Sequence, residues 1–248
     1  MIYYLRKRGN IWEKEKGEFM RGNAKIPIRK LLKRDIVWLA EHNCKAHSHS
    51  YLSHYNCFLR EKPDMSPLIE KVGIFDIETT GLQANWSLML CWCVKEHGKD
   101  IIHEKLITKK ATRNRDDYQV VKSAVEEIQK YDRIVTWYGT KFDLPYLRSK
   151  ALYWKIPFPR YKELYHTDLW YQSRSKLKLS SNRLQTVCQY YGIAAKGHPM
   201  TPELSIQTQR GDDDARNTVL EHCREDVIST DQCYDLLMDY SPSTKRSI

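Results

Sequence analysis

Hydrophobic and polar positions change period several times along the chain. Residues 1–21 are charged and aromatic, with little periodicity. Residues 25–42 place Leu31, Leu32, Ile36, Leu39 and Ala40 on one side of a helical wheel, which predicts an amphipathic helix. A loop with Pro63 and Pro67 follows, and a boundary is expected near residue 70. Apolar runs at 72–77, 88–95 and 101–107 read as three strands, the last two joined by a turn at His97-Gly98-Lys99. Residues 116–130 read as a helix with Tyr118, Val121, Val125 and Ile128 on one face. A strand at 133–137 and a helix at 144–154 come next, with Pro145 in the helix's first turn. A short strand at 166–169, a helix at 181–191 stopped by Gly192, and a long helical region at 213–240 complete the pattern.

Three strands followed by alternating strands and helices predict an α/β fold, a mixed sheet with helices on its faces. The expected division is an extension at 1–69, the main domain at 70–242 and a tail at 243–248. At 248 residues the chain can bury a full α/β core with room for that appendage.

Charge changes the picture at the front end. The chain carries 41 Lys and Arg against 31 Asp and Glu, a formal net charge of +10. Residues 1–70 hold 14 basic and 8 acidic side chains, a disproportionate share of that excess. A basic extension suggests a polyanionic partner, most simply nucleic acid, although charge can also serve solubility alone. The seven cysteines, the absence of an apolar leader and the absence of an 18-residue apolar run point to a soluble protein of a reducing, intracellular (cytoplasmic) compartment, with no membrane partner.

The chemistry concentrates in the segment 75–82, FDIETTGL. On a strand, residues two apart point to the same side, so Asp76 and Glu78 face one place together. Two carboxylates so close repel unless a cation lies between them. Hard oxygen ligands of this kind suit Mg²⁺ or Mn²⁺. Asp143, in YGTKFDLPYL after the strand at 133–137, stands at a helix mouth, where an N-cap role is the plain alternative. His222 and Asp226 are four residues apart on one helix and share a face, which a surface pair would also do. Asp168, in HTDLW, is expected to cap or buttress the next helix.

Together these motifs resemble the DEDD superfamily of 3′–5′ exonucleases, on the ribonuclease H-like fold. The resemblance covers residues 70–240. HTDLW, LQTVCQYYGI and HCREDV bring it nearest to the predicted ribonuclease H-like exonuclease group. It implies a mixed five-stranded sheet flanked by helices. It places Asp76 and Glu78 on the first motif, Asp143 on the second and Asp226 on the third. By resemblance these four carboxylates hold two Mg²⁺ or Mn²⁺ ions about 4 Å apart. His222 is then the general base, since an ordinary histidine pKa of about 6.5 suits proton transfer at neutral pH. The family's third motif has a Tyr-x3-Asp and a His-x4-Asp form. This chain combines His222 with the shorter spacing, so Tyr234 or Tyr138 stands as the alternative base. Thr79, Thr80 and Leu82 are expected to cup the terminal nucleotide, and Phe142 to stack on a base, with Tyr146 divided between stacking and core.

The extension carries a second cluster. Cys44, His47, His54 and Cys57 form a Cys-x2-His and a His-x2-Cys pair with structural-zinc spacing, although six residues between the pairs is short for a zinc finger. A His-rich loop lying over nucleic acid is the alternative.

The expected activity is metal-dependent 3′–5′ exonuclease hydrolysis of single-stranded DNA or RNA, in DNA repair or RNA processing or in a virus or mobile element. Two readings compete: a nucleic-acid-binding module on an inactive nuclease fold, and a structure-selective endonuclease.

Overall fold

A computed structural model describes residues 33–62, 70–194 and 200–240, together with the backbone of three short strands between residues 14 and 26. The chain divides into two compact units, Met1–Glu70 and Lys71–Ile248. In the first, β1 (Lys14–Glu15), β2 (Glu18–Arg21) and β3 (Ala24–Ile26) pair as an antiparallel meander. Helices α1 (Lys33–Glu41) and α2 (Tyr55–Glu61) enclose a small core of Leu39, Cys44, Tyr51, Tyr55, Cys57 and Phe58.

The helix expected over 25–42 is therefore not continuous, and residues 27–32 lie outside the described residues. Pro27 explains the difference. Proline disfavours helical backbone in the residue before it, and Ile26 is on β3. Lys25 falls on β3 rather than on a helix.

The second unit is built on β4 (Val72–Thr79), β5 (Met89–Glu96), β6 (Ile102–Leu106), β7 (Arg133–Thr136) and β8 (Tyr165–Asp168). Their order is β6-β5-β4-β7-β8. β4, β5 and β6 pair antiparallel; β4, β7 and β8 pair parallel. This is the expected mixed five-stranded sheet. Helices α3 (Lys109–Arg113) and α4 (Tyr118–Ile128) lead from β6 to β7, and α5 (Asp143–Tyr153) from β7 to β8. After β8 come α6 (Leu169–Lys176), α7 (Leu184–Tyr191), α8 (Pro202–Arg210) and the long α9 (Asp213–Met238).

Neighbouring residues of β5 show how the sheet is covered. The Cys91 thiol reaches the Val219 carbonyl of α9, whereas the Trp92 indole N–H donates to the Ser123 hydroxyl of α4 at 3.0 Å. Successive strand residues point to opposite faces, so α9 covers one side and α4 the other. With both faces covered, β5 reads as a nearly continuous apolar run rather than an alternating one.

Two helices, α3 and α8, were not expected from the pattern, and α6 was signalled only by the cap at Asp168. Each is short and mostly polar, so its apolar stripe is faint. α8 did carry an end signal. Thr201 caps it by accepting a hydrogen bond from Leu204 N–H, Pro202 occupies its first turn, and Gly211 ends it at φ +87°. Among the described residues, no helix is long and apolar enough to cross a membrane.

Candidate active site

Asp76 and Glu78 stand opposite Cys93 and Cys91 in the β4–β5 register. They therefore share the sheet face that carries α9. Directly after Glu78 the register shifts, which turns the chain away towards Gly81. α9 starts from a firm cap: Asp212 accepts a hydrogen bond from Ala215 N–H at 2.8 Å, and Asp213 and Asp214 oppose the helix dipole's positive end. Its partner face carries His222, Cys223 and Asp226. The Cys223 thiol, a neutral group pushed well above its ordinary pKa by burial, donates to the Asp76 carbonyl at 3.5 Å and holds α9 against β4.

This packing brings Glu78, His222 and Asp226 together. One ligand atom from each lies within 4.8 Å of the others. His222 Nε2 is 3.4 Å from Glu78 Oε1 and 3.9 Å from Asp226 Oδ2. Both His222 and Asp226 are buried. Such a set of carboxylates and one imidazole could hold a divalent cation.

Asp143 opens α5 and is buried. Its Oδ1 accepts a hydrogen bond from Ile77 N–H at 3.3 Å. Burial pushes its carboxyl up to about 7, and the charges of Asp168 and Asp226 push the same way. The hydrogen bonds from its own N–H and from Ile77 pull against them. A buried carboxyl beside other carboxylates fits a cation, whose charge would reverse that balance.

The turn that delivers Asp143 is tightly constrained. Tyr138 adopts φ +69°, unusual for a residue with a side chain. A Cβ on Gly139 would lie 2.3 Å from Thr136 Oγ1, so only glycine fits there. Thr136 Oγ1 instead accepts from Gly139 N–H at 3.1 Å and bonds His166 Nε2 at 2.9 Å. Asp168 does more than cap α6 through Trp170 N–H. Its two oxygens also accept from Tyr138 N–H and Thr140 N–H, both at 2.9 Å. That reach back across about thirty residues had no signal in the local pattern.

The residues expected at the substrate are less uniform. The Thr79 hydroxyl donates to the Gly81 carbonyl, and Thr80 Oγ1 accepts from Leu88 N–H, so both shape the turn after β4. Leu82 is 77% exposed. Phe142 is half-buried against Tyr146, which belongs to the core and bonds the Ser87 hydroxyl at 2.8 Å. Neither alternative base joins the Glu78–His222–Asp226 group. Tyr138 packs on the Trp170 ring, and Tyr234, about 12 Å further along α9 than Asp226, packs on His97. A cleft of about 420 Å³ beside the turn was not anticipated; its lining includes Trp86, Arg115, Lys150 and Tyr153. Cys44, His47, His54 and Cys57 lie together in the first unit.

Comparisons with known proteins agree with this architecture. An uncharacterised protein of Methanocaldococcus jannaschii is 24% identical over 185 residues, covering 67% of this chain and 95% of that protein. The solved structure of the family B DNA polymerase from Pyrobaculum calidifontis aligns with a TM-score of 0.56 at 20% identity, a likeness of fold. It covers 68% of this chain and 24% of the polymerase, so the chain spans about a quarter of that protein's length. The model of the RNase H superfamily matches residues 74–238. The RNase H-like fold suggests a nucleic-acid hydrolase, and enzymes on it typically use divalent metals. With most of its length matched, sheet and flanking helices included, this chain belongs to the RNase H superfamily.

Proposed function

We propose that the protein is a metal-dependent 3′–5′ exonuclease acting on single-stranded DNA or RNA ends. One observation carries this reading: Glu78, His222 and Asp226 converge to within 4.8 Å on the α9 side of β4. Asp76 on the same strand face and Asp143 hydrogen-bonded to Ile77 N–H add the remaining two carboxylates.

Asp76, Glu78, Asp143 and Asp226 would hold Mg²⁺ or Mn²⁺, which supplies neutralising charge to the phosphodiester and to the attacking and leaving oxygens. His222 Nε2 receives the proton of the attacking water. Glu78 Oε1 at 3.4 Å and Asp226 Oδ2 at 3.9 Å stabilise the imidazolium that results. Asp168 holds the turn at 138–140 in place and so keeps Asp143 beside Ile77. Exposed Leu82 and Trp86, with Tyr153 and Arg115 nearby, offer faces for bases and a cation for phosphate.

The test is a digest of 5′-labelled single-stranded DNA and RNA of one sequence, with Mg²⁺, with Mn²⁺ and with EDTA, alongside Asp143→Ala. A metal-dependent ladder shortening from the 3′ end, absent in the variant, is the expected result. Cleavage of a closed circle would exclude an obligate exonuclease. Binding without cleavage of either substrate would point to the non-catalytic module.

A further inference from the structure

We propose that Cys44, His47, His54 and Cys57 form a closed structural Zn²⁺ site in the first unit, separate from the carboxylate site. The geometry is that of a tetrahedron's edges. Cys44 Sγ lies 3.8 Å from His47 Nδ1 and 3.9 Å from His54 Nδ1. Cys57 Sγ lies 3.5 Å from His47 Nδ1 and 3.9 Å from His54 Nδ1. Zinc bonds of about 2.3 Å to sulfur and about 2.05 Å to nitrogen, at the tetrahedral angle, put S and N about 3.6 Å apart. Hydrogen bonding alone fits less well. Each imidazole Nδ1 has one site, either a lone pair or an N–H, so hydrogen bonds satisfy two of the four S···N contacts, whereas one cation satisfies all four.

The chain is folded so that the short gap between the two pairs suffices. Cys44 N–H donates to the His49 carbonyl, Ser48 N–H to the Cys44 carbonyl, and Asn43 bridges Ser50, which makes a small hairpin around the first pair. Ser48 at φ +53° tightens it. His54 N–H then donates to the Ser50 carbonyl, and α2 begins at once, with Cys57 in its first turn.

Outer contacts orient the ligands. His54 presents Nδ1 to the sulfurs while its Nε2 lies 3.1 Å from His49 Nδ1, the kind of hydrogen bond that fixes a ligating imidazole's tautomer. Arg60 donates to Cys57 Sγ at 3.5 Å, an outer contact that holds this ligand in place. All four ligand positions are filled by protein, as in structural rather than catalytic zinc. The surroundings also call for such a staple. Among the described residues, six buried hydrophobic side chains pack together here, and two of them are the cysteines themselves, so a metal on these thiols would tie the cluster together.

The decisive experiment is metal analysis of the full chain, purified without a histidine tag under reducing conditions, with Co²⁺ exchange followed by absorption. One zinc per chain is expected in the wild type and in Asp226→Asn, and both should give the charge-transfer band of thiolate-bound tetrahedral Co²⁺. Cys57→Ser should lose that band. His49→Ala should keep it but release zinc to a chromophoric chelator about 10- to 100-fold more readily. Substoichiometric zinc with no thiolate–cobalt band in the reduced wild type would overturn the site. Because wild type and Asp226→Asn carry the spectral test, poor folding of Cys57→Ser leaves it intact. None of these readouts depends on nuclease activity.

Discussion

The carboxylate of Asp143 accepts a hydrogen bond from Ile77 N–H at 3.3 Å, across 66 residues of sequence. Ile77 lies between Asp76 and Glu78, so this one bond ties the mouth of α5 to the acidic strand. It also keeps a buried carboxyl where desolvation and neighbouring acids disfavour its charge.

That cost should appear as a pH dependence. The Asp143 carboxyl rises from 3.8 to about 7 on folding, so between these values the folded state binds more protons than the unfolded one. Stability of the metal-free protein should therefore fall as pH rises through this window. Mg²⁺ should restore it. Asp143→Asn should flatten the slope and raise the metal-free Tm near neutrality by several degrees, while lowering activity by more than about 100-fold. Thermal melts in EDTA across pH, with and without added Mg²⁺, check this.

His222 is assigned proton transfer from the attacking water. His222→Gln keeps the side chain polar and similar in length, and should lower kcat by about 100- to 10,000-fold at neutral pH. The acidic limb of the pH–rate profile should disappear with it. A variant that retains that limb would move the base to another group.

Asp168 acts through the turn it holds. Asp168→Ala leaves the N–H groups of Tyr138, Thr140 and Trp170 without this acceptor and should cost about 2–4 kcal/mol. The drop in kcat should exceed the change in KM, because the turn positions Asp143. Asp168→Asn, which keeps one acceptor oxygen, should recover part of both losses. Denaturant unfolding and steady-state kinetics together separate positioning from stability.

Gly139 has no room for a side chain. Gly139→Ala would set a Cβ at 2.3 Å from Thr136 Oγ1 and should destabilise the protein by more than about 2 kcal/mol. The loss should show as a lower urea midpoint at unchanged slope.

On the far stretch of α9, Asp231 binds Lys95 at 2.5 Å and His97 at 2.7 Å. Burial opposes its charge, but His97 and Lys95 outweigh it and hold the carboxyl below its ordinary value of 3.8. Its contribution is present above the unfolded value and is lost as pH falls through the lower folded one. Asp231→Asn should thus destabilise at neutral pH by about 2–3 kcal/mol, with a difference that shrinks in acid. Urea melts at neutral and acidic pH read this difference directly.

Much of the larger unit was legible in the sequence because its signals are local. Strand and helix periods, Pro145, Gly192 and the two-residue spacing of Asp76 and Glu78 each report on a few neighbouring residues, and they placed all five strands, the long final helix and the shared face of the carboxylates. The amphipathic reading of 25–42 began too early, because Lys25 and Ile26 lie on β3, where the proline that follows Ile26 disfavours helical backbone. The faint stripes of α3 and α8 were too weak to stand out beside the apolar runs around them, and α6 showed only through its cap at Asp168. Tertiary structure alone decided what meets what. Packing of α9 on β4 set His222 between Glu78 and Asp226, Asp168 reached back to Tyr138 and Thr140, and a hairpin closed the short gap between two Cys–His pairs. These contacts join residues distant in sequence, and no local period encodes a distance in space.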